Sequence, residues 1–195
     1  MLEELLKYDT ELFLFLNNLG SEPWDGLWRI ITEKLASVPL YALLLYLVFK
    51  RLGWKGTVVV MITVALMITA TDQLANLFKY VLFQRPRPCR VEELKPVMRL
   101  IADGCGRYGY FSAHAASTMA VAVFIGLLFK NKYRYLPFLM LFWAAVVAYS
   151  RIYLGVHYPL DIVTGMFFGA IIGWVFYQLQ VWGQLKFKTQ IATED

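Results

Sequence analysis

Four stretches of this chain, at about residues 56–78, 112–130, 135–151 and 159–182, are each long and apolar enough to cross a bilayer as a helix. Such a span takes about 20 mostly apolar residues. Inside hydrocarbon every backbone N–H and C=O must find a partner within the chain, which leaves helices and closed barrels as the only spanning forms. A fifth stretch, about 29–49, is strong from Leu35 onward, although Glu33 and Lys34 stand near its start. Trp24 and Trp28 precede it and suit interfacial anchors.

Composition points the same way. The 195 residues are 59% hydrophobic and 17% charged, against about 45–50% and about 25% for soluble domains. That excludes a disordered chain and argues against a soluble enzyme. Residues 3–19 mix apolar positions with Lys7, Asp9 and Glu11 and read as an amphipathic helix lying on the membrane. After Met1, Leu2-Glu3-Glu4 lacks the basic start of a secretory signal, so the apolar segments are expected to persist. The expected fold is an all-α integral membrane protein. It is one domain over residues 1–195, a bundle of about five transmembrane helices with an N-terminal interfacial helix and an active-site loop at 83–111. No internal repeat or GxxxG-driven dimer signature stands out.

The net charge of +5 fits basic cytoplasmic loops better than a nucleic-acid partner in so apolar a chain. Lys50, Arg51 and Lys55, then Lys130, Lys132 and Arg134, then Lys186 and Lys188 form short basic clusters that alternate with the spans. The positive-inside rule assigns them to the cytoplasm. The 83–111 stretch and the 150–158 turn then lie on the opposite face. Arg85, Arg87, Arg90, Lys95, Arg99 and Arg107 make the longer stretch basic as well, and an anion site there accounts for them.

Polar groups recur near that face. Asp72, Asn76 and Lys79 share one side of a helix at i, i+4 and i+7, and ionisable groups within spans usually mark function. The prolines of Arg85-Pro86-Arg87-Pro88 fix an extended path. From it the arginine forks project, suited to phosphate or carboxylate. Ser112-Ala113-His114 opens a span, and a helix N-terminus offers unpaired N–H groups to phosphate. In Ser150-Arg151 through His157 to Asp161, Pro159 suits a first helical position and the i, i+4 spacing can join His157 to Asp161. Each cluster alone also has a purely structural reading. Two histidines at two helix starts, with Lys79, Arg87 and Arg151 on the same face, favour one convergent anion site.

These residues resemble the type-2 phosphatidic acid phosphatase superfamily, whose motifs are Lys-x6-Arg-Pro, Pro-Ser-Gly-His and Ser-Arg-x5-His-x3-Asp. The third is complete here, from Ser150-Arg151 to His157 and Asp161. The second stands as Phe111-Ser112-Ala113-His114. In the first, Lys79 lies one residue too far from Arg87-Pro88. Either a local helix bulge restores it, or a neighbour such as Arg85 replaces it.

The resemblance implies a lipid phosphatase with His157 as nucleophile, Asp161 orienting it and His114 as acid then base. Lys79, Arg87, Ser112, Ala113 and Arg151 would hold the phosphoryl oxygens, with Asp72 and Arg85 in support. No metal or cofactor is expected. The expected partner is a membrane lipid substrate, undecaprenyl diphosphate first, with phosphatidylglycerophosphate, phosphatidic acid or a lipid A phosphate as alternatives. The expected location is the bacterial cytoplasmic membrane with the site on the periplasmic face. There a Cys89–Cys105 disulfide would brace the loop by about 3 kcal/mol. Lipid-to-lipid phosphotransfer and a non-catalytic anion transporter are the competing readings.

Overall fold

The computed structural model describes residues 1–191, with the side chains of Lys34 and residues 184–191 outside that description. Lys186 and Lys188 therefore lie outside the described side chains. The described chain is helical: α1 (Leu2–Asn18), α2 (Glu22–Thr32), α3 (Val38–Leu77), α4 (Ala113–Phe129), α5 (Leu136–Tyr153) and α6 (Pro159–Ile191).

The α3 helix supplies two of the spans. Gly53, at φ +65°, breaks it into limbs, a backbone conformation that glycine adopts without steric cost. The limbs run antiparallel: Tyr41, Leu44 and Val48 face Ile68, Val64 and Val60 across one apolar groove. Lys50, Arg51 and Lys55 flank the turn, and Arg51 donates to the Leu128 carbonyl at the end of α4. Among the described residues α3, α5 and α6 are long and apolar enough to cross a membrane, and α4 is a shorter apolar helix packed with them.

The first span differs from the expected 29–49. Residues 29–32 finish α2, Glu33 is extended, and Lys34–Ser37 forms a 3-10 turn before Val38 opens α3. Pro39 explains the restart, since proline is favoured in a first helical turn. Trp28 packs inward, its ring stacking on Tyr153 and meeting Tyr149 edge-on, while Trp24 stays exposed.

Helix α4 forms the centre, with twelve of its residues buried, from Ala115 to Phe129. It packs most closely on α6. A Cβ on Gly165, Gly169 or Gly173 would stand 2.6, 2.2 or 2.4 Å from the carbonyl oxygens of Ser112, Ala116 or Ala120. This small-xxx-small stripe is a signal that the sequence reading passed over, and it serves contact within the chain. At the top of the seam the Ser112 amide donates to the Asp161 carbonyl at 3.0 Å.

Helix α1 turns two polar residues inward: Asp9, Phe13 and Asn17 are buried at i, i+4 and i+8, while Leu5, Tyr8, Leu12 and Phe15 are exposed along with Lys7 and Glu11. Asp9, unlike Lys7 and Glu11, is thus turned into the fold. Its carboxylate has protein donors waiting for it, so burial is compensated. Asn17 clamps the long loop: its amide donates to the carbonyls of Arg99, Ile152 and Tyr153 at 3.0 Å, and its oxygen accepts from the Arg99 amide at 2.7 Å.

The 83–111 loop is an ordered cap. Arg87 and Gly109 donate through their amides to the Arg107 and Arg85 carbonyls. Cys89 and Cys105 are joined by a disulfide. Met98 and Ile101 bury beside Phe13, Leu154 and Val156.

Candidate active site

Pro159 starts α6 just beyond His157, and the first helical turn brings Asp161 back beneath the imidazole. The Asp161 Oδ2 lies 3.1 Å from His157 Nδ1 and also accepts from the Tyr158 amide at 3.1 Å. A carboxylate only accepts, so Nδ1 carries the ring proton and Nε2 keeps its lone pair. Both side chains are buried. Burial, then the charges of Arg87, Arg151 and Lys79, hold His157 well below the usual imidazole pKa. At neutral pH the ring is therefore uncharged.

The three cations reach His157 from separate elements. Arg87 sits on the extended segment, half-buried, with Nε donating to the Tyr108 carbonyl at 3.0 Å. Arg151 ends α5, where one guanidinium nitrogen donates to Thr32 Oγ1 and Nε is buried without an acceptor in the protein. Lys79 is buried within a π-helical turn, Phe78–Leu82, at the foot of α3. A π turn accommodates one extra residue, the same one-residue offset that separates Lys79 from the motif spacing.

Arg85 sits behind the histidine pair. It binds Asp9 Oδ2 at 2.5 Å, approaches Asp161 Oδ1 at 3.8 Å, and stacks 3.6 Å above the Tyr158 ring. Asp9 Oδ1 also accepts from the Leu160 amide at 2.8 Å. Desolvation raises the pKa of Asp9, with Arg85 and Leu160 opposing that rise. The sequence reading missed this link, because Asp9 stands some 150 residues from its partner on α6. Its one visible signal is that it shares a helical face with Phe13 and Asn17.

Not every loop cation turns to His157. Arg99 pairs with Asp25 at 2.9 Å, Lys95 with Glu92 at 2.6 Å, and Arg90 donates to the Cys105 carbonyl. These three hold the cap together.

Ser112 caps α4, its Oγ accepting from the Ala115 amide. The Ala113 amide is at the first helical position, where an N–H has no intrahelical acceptor. The cap presses on the pair from above: a Cβ on Gly109 would lie 2.9 Å from Asp161 Oδ2 and 3.6 Å from His157 Nδ1. On the other side, Ala113 and His114 line a cleft of about 490 Å³ with Thr32, Glu33, Asp72 and Asn76. Asp72 and His114 thus line one cleft, which touches Arg151 through Thr32.

A buried imidazole with a free Nε2, cationic neighbours and a helix N-terminus can attack a phosphoryl group and hold its oxygens. Known proteins resemble the chain in sequence and in fold. The model of the PAP2 superfamily matches residues 57–184. The chain is 38% identical over 179 residues to a protein of Bacteroides thetaiotaomicron described as lipid A 4'-phosphatase, covering 91% of this chain and 79% of that one. It is 31% identical over 192 residues to an undecaprenyl-diphosphatase of Sulfolobus acidocaldarius, covering 94% and 84%. The crystal structure of a transmembrane PAP2-type phosphatidylglycerolphosphate phosphatase from Bacillus subtilis shares the fold, with a TM-score of 0.70 at 15% identity over 90% of this chain and 86% of that one.

Proposed function

The chain belongs to the PAP2 superfamily and is a membrane lipid phosphatase, and from that premise we propose that it removes a phosphate from a lipid A-type glycolipid through a phosphohistidine on His157. The observation that carries the chemistry is the His157–Asp161 bond at 3.1 Å, set among Arg87, Arg151 and Lys79.

His157 Nε2 attacks phosphorus, and the bond from phosphorus to the lipid oxygen breaks. That oxygen takes a proton from His114. Asp161 stabilises the imidazolium-like phosphohistidine through Nδ1. Water then attacks the phosphoryl group and gives a proton to His114, Nε2 leaves, and inorganic phosphate departs. Arg87, Arg151, Lys79, Ser112 and the Ala113 amide hold the phosphoryl oxygens throughout, and their charge balances a loose transition state. A cluster of cations repels a metal ion, so the hydrolysis proceeds without one.

The choice of lipid rests on the 38% identity to the lipid A 4'-phosphatase. Undecaprenyl diphosphate, the first expectation from sequence, is supported by a relative of lower identity and ranks second. The site faces the periplasmic side of the cytoplasmic membrane in this reading. The basic loops at the other end and the Cys89–Cys105 bridge, a feature of oxidising compartments, support that placement.

The test is phosphate release in detergent with EDTA present, comparing wild type with His157→Ala on lipid A, undecaprenyl diphosphate, phosphatidylglycerophosphate and phosphatidic acid. The expected result is chelator-resistant release, fastest from lipid A and abolished in the variant. Activity retained by His157→Ala would refute the phosphohistidine.

A further inference from the structure

The cleft beyond His114 holds groups that the phosphoryl chemistry leaves unused. It is lined by Glu33 at the end of α2, Asp72 and Asn76 on α3, and Ser117 and Thr118 on α4. Its volume of about 490 Å³ falls in the range of small-molecule sites, about 300–1,000 Å³. His114 is the residue that protonates the departing oxygen in the reading above, so whatever is bonded to that oxygen occupies the cleft.

Within a largely apolar lining, the polar groups are mainly acceptors. Glu33 and Asp72 bring two carboxylates. The hydroxyls of Ser117 and Thr118 donate to the His114 carbonyl at 3.3 and 2.8 Å, which turns their lone pairs elsewhere. Asn76 adds an amide with both characters. A group that brings its own donors, such as sugar hydroxyls and amide N–H, finds partners on this surface. A second phosphate brings only acceptors and negative charge. It would face two carboxylates and leave its oxygens unmatched. Tyr41 and Ile68 line both this cleft and the apolar groove between the α3 limbs, so a lipid chain on the same molecule has a continuous path into the bilayer.

We infer that this cleft is a leaving-group subsite for a hydroxylated, donor-bearing group such as a sugar, and that Asp72 and Glu33 reject a leaving group that is itself a phosphate. The inference rests on the phosphatase reading and deepens it: the phosphoryl-holding residues suit any phosphate ester, and this subsite separates sugar phosphates from diphosphates.

The experiment measures kcat/KM of wild type, Asp72→Asn and Glu33→Gln on two probes, a 4-phosphorylated glucosamine lipid and farnesyl diphosphate. The quantity read is the ratio of the two values within one preparation, which is independent of the fraction of folded enzyme. The expected result is a wild-type preference for the sugar phosphate that falls about tenfold in each variant, with the diphosphate rate rising in absolute terms. A ratio unchanged in both variants would mean that the carboxylates only balance Lys79 and Arg151, and would overturn the inference while leaving the phosphatase reading intact. A wild type that prefers the diphosphate would also overturn it. A wild type that releases phosphate from neither probe would overturn both.

Discussion

At the scale of single residues, the proposed nucleophile owes its state to what surrounds it. His157 stays neutral because it is buried and faces three cations. The unfolded chain takes up a proton near pH 6.5 at this histidine, whereas the folded chain resists until well below that. Stability from this group is therefore constant above about pH 6.5 and falls as pH drops below it, by at most about 1.4 kcal/mol per pH unit. Thermal unfolding in detergent at pH 7 and pH 5 should show this loss, reduced in His157→Gln. In kcat/KM against pH, no acid limb assignable to the nucleophile is expected near pH 6.5. It should appear at lower pH.

Asp9 acts through Arg85. With both carboxylates present, Arg85 is shared between Asp9 at 2.5 Å and Asp161 at 3.8 Å. Asp9→Asn removes the nearer charge and draws Arg85 onto Asp161, which weakens the hold of Asp161 on His157. The expected effect is about a tenfold fall in kcat with KM little changed. A rise in KM alone would assign Asp9 to binding, and no change would remove it from the site.

At the scale of elements, the α4–α6 seam fixes where the two histidines stand. Gly169→Val would drive side-chain atoms against the Ala116 backbone, since even a Cβ there lies 2.2 Å from its oxygen. A backbone carbonyl has little room to yield, so the expected cost is about 1–3 kcal/mol or more. Gly183→Ala is the control, because a Cβ there meets nothing within 4 Å. Melting temperatures of the two variants in the same detergent decide the matter.

The same elements show how far the sequence could be read. Ser150-Arg151, His157 and Asp161 were legible because one short segment carries both their order and their spacing. Lys79 was ambiguous because a helical period of 3.6 residues cannot describe a π turn. The start of α3 was misplaced because apolar residues continue through Ile30 and Ile31, while the break depends on Glu33 and Pro39. Asp9 was invisible as a partner of Arg85, because charge on an amphipathic helix ordinarily marks the wet face and only tertiary packing reverses it.

At the scale of the whole molecule, orientation is the open variable with a direct test. The loops at Lys50–Lys55 and Lys130–Arg134 lie at the end opposite the cap, and the positive-inside rule assigns them to the cytoplasm. A reporter fused after the last residue is expected to read as cytoplasmic, and an extracytoplasmic signal would invert the proposed topology. Helix α1 fits that arrangement: its outward Leu5, Leu12 and Phe15 suit the headgroup–acyl boundary on the site's side of the membrane.

The glycine stripe has one more implication. Three positions without side chains set the spacing between two helices whose upper ends carry His114 and, next to the first turn, His157. Gly173 is about three helical turns below Asp161, buried against Ala120, yet it belongs to the gauge that separates the proposed acid from the proposed nucleophile. The bundle works like the frame of a caliper: widening the jaws anywhere along the beam misreads the gap at the tip. Changes that merely loosen membrane packing should therefore register first as lost turnover, before any loss of fold is measurable.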